Sequence, residues 1–363
     1  MASKPAFVIL GDIHLDTVIW KRVPQVTGDA FLAYKSFLDT AVKLGVPAII
    51  AGDLFDTIKP DTAIVQFHRE QMDRCKAADV PVYFIQGNHD RQSLPWASAI
   101  HSHAEWIGHG NVVTINGLRV VGLDYDLHDF IQAKTIDVLN RPEPFDVLVI
   151  HQAVKQSLPF EGKYNYDLDW LSVRTDSPRL VVMADIHKPD YHKISDNRDA
   201  FYTGSSHARD IDQNGPKSCV VVNFDLTWRR SPLPARTIDQ MAVGGREQLA
   251  DLAAWISKQA RVTSELKPFI RVMHTPEMSD AVAALQNPSV IVMSEIVATI
   301  DDAQNLSMDG MVDDATEIDP TVLIKRALGE TEDQAVIEMA TKLYHATQGV
   351  TDIIAAERAK VIS

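Results

Sequence analysis

The feature that most restricts this chain is a series of short apolar runs, several of which are followed at once by side chains able to bind metal ions. Apolar runs at 7–10, 47–50 and 80–85 alternate with helical patterns at 31–44 and 63–78. Short strands alternating with amphipathic helices predict an α/β layered core. Residues 112–115 and 118–123 flank Asn116-Gly117, the pair that best suits a two-residue hairpin turn because both of its positions tolerate positive φ. Further apolar runs lie at 147–150, 180–183 and 219–222, and the sheet is expected to split into two packed layers.

The texture changes after Pro232-Leu233-Pro234. A helical pattern at 246–258, a strand-like 269–272, a short helix near 281–285 and a strand at 290–293 read as a small second α/β domain. Residues 301–317 are acidic and poorly patterned, as a linker is. Beyond it Asp319-Pro320 supplies an N-cap and a first-turn proline, and Thr331 with Gln334 fits a capping box. An apolar stripe runs through Val336, Met339, Ala340, Leu343 and Tyr344. The expected divisions are a core over 1–235, a cap domain over 236–300, a linker over 301–318 and C-terminal helices over 319–363.

Composition removes several classes. With 45% hydrophobic and 23% charged residues the chain is neither disordered nor fibrous. Cys75 and Cys219 are far apart and lack partners at metal-ligand spacing, which argues against a disulfide framework and a zinc ribbon. The first apolar run is too short for a signal peptide or a membrane span, so a cytoplasmic protein is expected. A net charge of −14 runs against the basic footprint of nucleic-acid proteins, but part of that acidity is concentrated between Asp301 and Asp319.

Asp12 and His14 follow the first run, Asp53 the second, and Asn88 and His89 the third; His151 ends a later one, and Asp185 with His187 follow another. Strand ends gather along one edge of an open α/β sheet, so these groups are expected to converge. An Asp after a strand is commonly a turn former or helix cap, and a lone His is commonly a hydrogen-bonded structural residue. The joint occurrence of Gly-Asp-Ile-His, Gly-Asp-Leu-Phe-Asp, Gly-Asn-His-Asp and Asp-Ile-His, in that order, is what points to a metal centre. Gly11, Gly52 and Gly87 each precede a candidate ligand, where a missing Cβ allows close approach. Mixed oxygen and imidazole donors suit Mn, Fe or Zn, and Asp53 is a natural bridge between two ions. The remaining histidines, including His68, His101, His103, His109, His128, His192 and His207, read as structural, with His128 and His207 the ones able to line a cleft.

These residues resemble the calcineurin-like metallophosphoesterase superfamily. Gly52-Asp53-Leu54-Phe55-Asp56, Gly87-Asn88-His89-Asp90, Ile186-His187-Lys188-Pro189 and Tyr202-Thr203-Gly204-Ser205 are similar to its SbcD-type nuclease branch. The resemblance covers about the first 205 residues and implies a layered β-sandwich core flanked by helices. It implies that Asp12, His14, Asp53 and His187 hold one divalent ion, most simply Mn²⁺ with Mg²⁺ as the alternative, and that Asp53, Asn88, His151 and Asp185 hold a second. His89 becomes the catalytic histidine, with Asp90 fixing its orientation. Where the family usually has Gly-His-x-His this chain has Ala184-Asp185-Ile186-His187, a carboxylate that favours harder ions.

The implied activity is DNA exonuclease and endonuclease cleavage in an SbcCD-like repair, recombination and replication complex. A homodimer is implied, with an SbcC-type SMC-like ATPase held by the C-terminal helices. Arg91, Lys188, Lys193 and Arg209, with Arg229 and Arg230, are candidate DNA phosphate contacts. The same centre also suits a phosphatase or nucleotide phosphodiesterase, and a scaffold that binds DNA without cutting it is a third reading.

Overall fold

The computed structural model describes residues 3–16, 20, 23–158, 166–173, 178–262 and 264–299. The expected linker and C-terminal helices therefore lie outside the described residues. In chain order the strands are β1 (Pro5–Leu10), β2 (Ala48–Ala51), β3 (Val82–Ile85), β4 (Ala104–Trp106), β5 (His109–Ile115), β6 (Leu118–Leu123), β7 (Val147–His151) and β8 (Leu180–Ala184), then β9 (Tyr191–Ser195), β10 (Arg198–Tyr202), β11 (Ser218–Asn223), β12 (Trp228–Pro232), β13 (Ile238–Val243), β14 (Phe269–His274) and β15 (Ile291–Ile296). The helices are α1 (Asp29–Leu44), α2 (Thr62–Ala77), α3 (Trp96–Ile100), α4 (His128–Asn140), α5 (Arg246–Gln259) and α6 (Ser279–Ala283).

Two six-stranded mixed sheets form the core, in the orders β12-β11-β1-β2-β3-β4 and β5-β6-β7-β8-β10-β9. Alternation along each strand decides which way a side chain packs. Phe7, Ile9, Ile49, Ala51 and Ile85 of the first sheet share a cluster with Val120, Val149, Val182 and Phe201 of the second. Their neighbours Val8, Leu10, Ala48 and Ile50 instead join Tyr34, Phe37 and Leu38 of α1 and Met72 of α2. On the far side Val121, Leu148 and Ile150 join Ile131, Val138 and Leu139 of α4. The result is a β-sandwich with helices outside both sheets, the α/β class expected. The β5–β6 turn places Asn116 at φ 49 and Gly117 at φ 88, as a hairpin of that sequence requires.

Strand β10 escaped the sequence reading because its first residue is an arginine. Arg198 is buried, and its guanidinium donates to the carbonyls of Pro178 at 3.0 Å and Leu171 at 2.6 Å, which removes the cost of burying it. Helix α4 escaped for a different reason, the weak amphipathicity of its sequence, HDFIQAKTIDVLN.

A third sheet, β13-β14-β15, is parallel throughout, with Leu252 and Ile256 of α5 packed on Val243, Ile270 and Val272. It is tied to the core by Arg236, whose buried guanidinium donates to the Asp29 carboxylate at 3.0 and 2.6 Å, and by Trp20, whose ring stands edge-on to Phe269 at 4.8 Å. Both cysteines are free and buried. Among the described residues no helix is long and apolar enough to cross a membrane.

Candidate metal centre

The carboxyl ends of β1, β2 and β3 meet those of β7 and β8 at one edge of the sandwich, and the loops leaving them are stitched together by backbone bonds. Ile13 and His14 donate to the Asp53 carbonyl at 2.9 and 2.8 Å, Leu15 donates to Leu54 at 2.8 Å, and Ser206 donates to Asp12 at 3.1 Å. Asp12, His14, Asp53 and Asp185 all have positive φ, at 49, 46, 49 and 98°. That conformation costs on the order of 1–3 kcal/mol per residue and persists where surrounding contacts over-determine it, as at functional sites. It turns Asp12 and His14 to the same side while Ile13 is fully buried in the core beneath α1.

All the candidate ligands come together. His14 Nε2 lies 3.5 Å from Asp53 Oδ2 and 3.2 Å from His187 Nε2, and Asp12 Oδ1 is 3.8 Å from His187 Nε2. His151 Nε2 lies 3.3 Å from Asp53 Oδ2, 3.2 Å from Asn88 Oδ1, 3.9 Å from Asp185 Oδ1 and 3.8 Å from Asp12 Oδ1. Donor atoms of Asp12, His14 and His187, of Asp12, Asp53 and His151, and of His14, Asp53 and His89 each fall within 4.8 Å of one another. Asp12 thus sits between the two imidazole groups as Asp53 does, a placement that spacing alone did not reveal.

The donor set fits divalent cations. Burial pushes the carboxyl of Asp12 up to about 7 and that of Asp185 up to about 6, with neighbouring carboxylates adding to the strain. Burial lowers His14 far below the usual imidazole range, helped by the Arg209 charge, so its nitrogen lone pair is available. For His151 burial works against the proton, yet the carboxylates of Asp53, Asp12 and Asp185 outweigh it and raise the ring well above its ordinary value. Crowded, buried carboxylates short of positive charge, together with imidazoles, are what a divalent cation relieves.

The outer contacts are equally specific. His14 Nδ1 meets Asp56 Oδ1 at 3.0 Å and His151 Nδ1 meets the Ala51 carbonyl at 2.8 Å, which aims both Nε2 atoms inward. A Cβ on Gly52, itself at φ +90, would lie 2.3 Å from His151 Nδ1, so this glycine is needed for both conformation and space.

His89 stands at the rim with its side chain 24% exposed, its backbone N–H donating to Asp53 Oδ1 at 3.0 Å. Its orientation does not come from Asp90, as the motif implied. His89 Nδ1 contacts the Asp56 carbonyl at 3.0 Å. The Asp90 carboxylate instead accepts from the N–H groups of Leu54 at 2.8 Å, Phe55 at 3.3 Å and Gly87 at 2.8 Å. Three backbone donors outcompete one ring nitrogen, so Asp90 is the staple between the second and third loops. Asp56 is the residue the sequence reading passed over, although its place in Gly-Asp-Leu-Phe-Asp was the available signal.

Of the candidate phosphate contacts, Lys188 is exposed. Arg91 pairs with Asp126 at 3.0 Å, Lys193 with Asp196 at 3.4 Å and Arg209 with Asp56 at 2.6 Å. Arg230 donates to the carbonyls of Tyr202 at 2.8 Å and Thr203 at 2.9 Å. His207 is buried against the Ser206 hydroxyl, and His128 begins α4.

A sandwich of mixed sheets here carries Asp, Asn and His donors at one strand edge, the arrangement of a candidate divalent-metal site. The chain belongs to the calcineurin-like phosphoesterase family, whose model matches residues 5–226. It is 26% identical over 294 residues to the DNA double-strand break repair protein Mre11 of Methanosarcina acetivorans, covering 74% of this chain and 44% of that one. It is 28% identical over 168 residues to the protein of the same name from Saccharolobus solfataricus, covering 44% of each. It is also 22% identical over 248 residues to the uncharacterized metallophosphoesterase YhaO of Bacillus subtilis, covering 63% of this chain and 60% of the relative. The chain thus spans between 44% and 60% of the length of these relatives.

Proposed function

We propose that this protein is a DNA nuclease that hydrolyses phosphodiesters with two divalent ions, Mn²⁺ or Mg²⁺, in an SbcCD-like repair complex. The observation that carries the reading is the convergence of three imidazole-carboxylate groups linked through Asp12, His14 and Asp53. Three of its relatives, at 24–28% identity, are named as double-strand break repair proteins, which supports DNA over other phosphoesters.

Bound ions would lower the pKa of a coordinated water and neutralise charge on the phosphoryl oxygens. Asp12, His14, Asp53 and His187 would hold one, and Asp53, Asn88, His151 and Asp185 the other. His89, oriented through Nδ1 by the Asp56 carbonyl, is left with Nε2 to bring a proton to the leaving oxygen. Arg91, Lys188, Lys193 and Arg209 are the proposed DNA contacts.

Purified protein with Mn²⁺ is expected to degrade linear duplex DNA. Turnover of a phosphomonoester alone would make it a phosphatase, and DNA binding without cleavage a scaffold. His89→Ala is expected to slow cleavage by about 10²–10⁴-fold with metal content unchanged; loss of metal as well would mean that His89 is a ligand.

Residues 319–363 are proposed to dock an SbcC-type ATPase through an amphipathic helix, with the chain acting as a homodimer in the cytoplasm. Their deletion is expected to end copurification with the ATPase while cleavage of exposed ends continues. Retained copurification would refute the docking assignment.

A further inference from the structure

Behind the two imidazoles that meet at 3.2 Å through their Nε2 atoms, His14 and His187, lies one short segment of the chain that touches His187 directly and reaches His14 through Asp56. Arg209 Nη1 pairs with Asp56 Oδ1 at 2.6 Å, and the same oxygen is 3.0 Å from His14 Nδ1. Gln213 Nε2 reaches His187 Nδ1 at 3.2 Å. The backbone N–H of Arg209 donates to Gln213 Oε1 at 3.2 Å. That backbone donor settles which end of the Gln213 amide faces the ring, because a donor can meet only the oxygen.

The Gln213 amide favours one tautomer of His187. Gln213 presents an NH₂ to His187, so Nδ1 of that ring is an acceptor and its proton sits on Nε2. His187 Nε2–H then donates to His14 Nε2, and His14 Nδ1–H donates to Asp56. A metal ion at His187 Nε2 requires the other tautomer, with the proton on Nδ1. In that state Nδ1–H faces the Gln213 NH₂, donor against donor. The amide must then turn and give up its bond to the Arg209 backbone.

The segment carrying both residues is anchored on the small sheet rather than on the sandwich alone. Ile211 is 4% exposed, and its 3₁₀ turn (Ile211–Gln213) packs against β13. The Trp20 indole N–H donates to the Ala208 carbonyl at 3.3 Å while its ring stands against Phe269 of β14 at 4.8 Å. These contacts join the third sheet to the segment behind the two imidazoles.

We propose that the Arg209–Gln213 turn is the positioning device of the His14–His187 metal position, that Gln213 sets how tightly that position takes its ion, and that the third sheet acts on the metal centre through this turn. Arg209 is thereby reassigned from a DNA contact to a positioning residue. The proposal rests on the ion-binding reading given above but not on the identity of the substrate.

The test uses the full chain and Mn²⁺ alone, followed by calorimetric titration, with ¹⁵N-histidine spectra recorded with and without Zn²⁺ to read ring tautomers. Gln213→Glu, whose carboxylate accepts from His187 Nδ1–H, is expected to tighten Mn²⁺ binding by about 10–100-fold, and Arg209→Met to weaken it by a similar factor. Arg209→Lys, which keeps a charge opposite Asp56, loses less. Asn214→Asp adds the same charge as Gln213→Glu at the neighbouring exposed position and is expected to stay within about twofold of native. Trp20→Phe, remote from the centre, weakens binding by about threefold. In the native protein the His187 proton moves from Nε2 to Nδ1 when Zn²⁺ is added.

Equal effects of Gln213→Glu and Asn214→Asp, unchanged affinity in Arg209→Met, or an Nδ1–H His187 before metal is added would each overturn the proposal while leaving the metal centre intact. A native chain that binds no Mn²⁺ would instead overturn the ion-binding reading and this one together. Thermal melts of each variant in chelator separate a positioning loss from unfolding.

Discussion

Gly87→Ala is expected to lower metal-dependent phosphoester hydrolysis by about 10²-fold, because a catalytic constellation displaced by roughly 1 Å loses about that much. A Cβ on Gly87 would lie 1.9 Å from Asp53 Oδ1, 2.5 Å from its Cγ and 2.6 Å from its backbone nitrogen. The carboxylate has nowhere to go. Its Oδ1 accepts from His89 N–H at 3.0 Å, its Oδ2 faces His151 Nε2 at 3.3 Å, and its carbonyl is held by Ile13 and His14. Either Asp53 swings out of both donor groups or the third loop withdraws with Asn88 and His89. Overpacking of this kind costs about 1–3 kcal/mol, readable as a lower melting temperature. Gly215→Ala, where an added Cβ meets nothing within 4 Å, is the matched control. Gly87→Ala protein that hydrolyses at the native rate would show that the tight approach of the third loop to Asp53 is not needed.

The second large effect is on stability in acid. His68 is fully buried on α2, where its Nδ1 meets the Tyr34 hydroxyl at 3.1 Å, its Nε2 faces the Ala97 carbonyl at 3.4 Å, and the Phe55 ring stands edge-on at 5.5 Å. Burial lowers this ring to about 4, with the Ala97 carbonyl opposing the shift and the nearby His101 adding to it. The folded state therefore keeps His68 neutral while the unfolded chain protonates it near 6.5. As pH falls from about 6.5 towards 4 the unfolded state takes up the proton first, and stability that is fully present above 6.5 is lost across that window. The expected loss is on the order of 3 kcal/mol. Denaturant unfolding in chelator at pH 7.5 and pH 4.5 reads it as a difference between native protein and His68→Phe. Identical losses in the two proteins would mean that His68 does not carry the acid sensitivity. Because Phe55 lies in the loop that carries Asp53 and Asp56, protonation of this ring disturbs the support of the metal centre as well as the helix layer.

Reading the sequence went furthest where one chemical requirement excluded alternatives. The unbroken apolar run Phe7-Val8-Ile9-Leu10 reads as a strand, and the structure sends Phe7 and Ile9 between the sheets and Val8 and Leu10 under the helices. Asn116-Gly117 requires a turn with positive φ at both residues and makes one. Gly52 and Gly87 stand where the chain has room for nothing larger. The same reading failed where a polar side chain is satisfied by a distant partner. Arg198 opens a buried strand because carbonyls far along the chain accept its guanidinium. Asp90 neighbours His89 in sequence but spends its oxygens on backbone groups of another loop.

What the linear order of residues determined by itself is which groups end the strands, since strand length, side-chain alternation and turn chemistry are local properties that each segment carries wherever it folds. Which of those groups touch was decided only in three dimensions. Asp12 lies between both imidazole groups, Asp56 serves His14 and His89 together, and Arg209 and Gln213 stand behind the ligands. Those contacts depend on how two twisted sheets bring their edges together, and a hydrogen bond across 173 positions leaves no trace in the spacing of its partners.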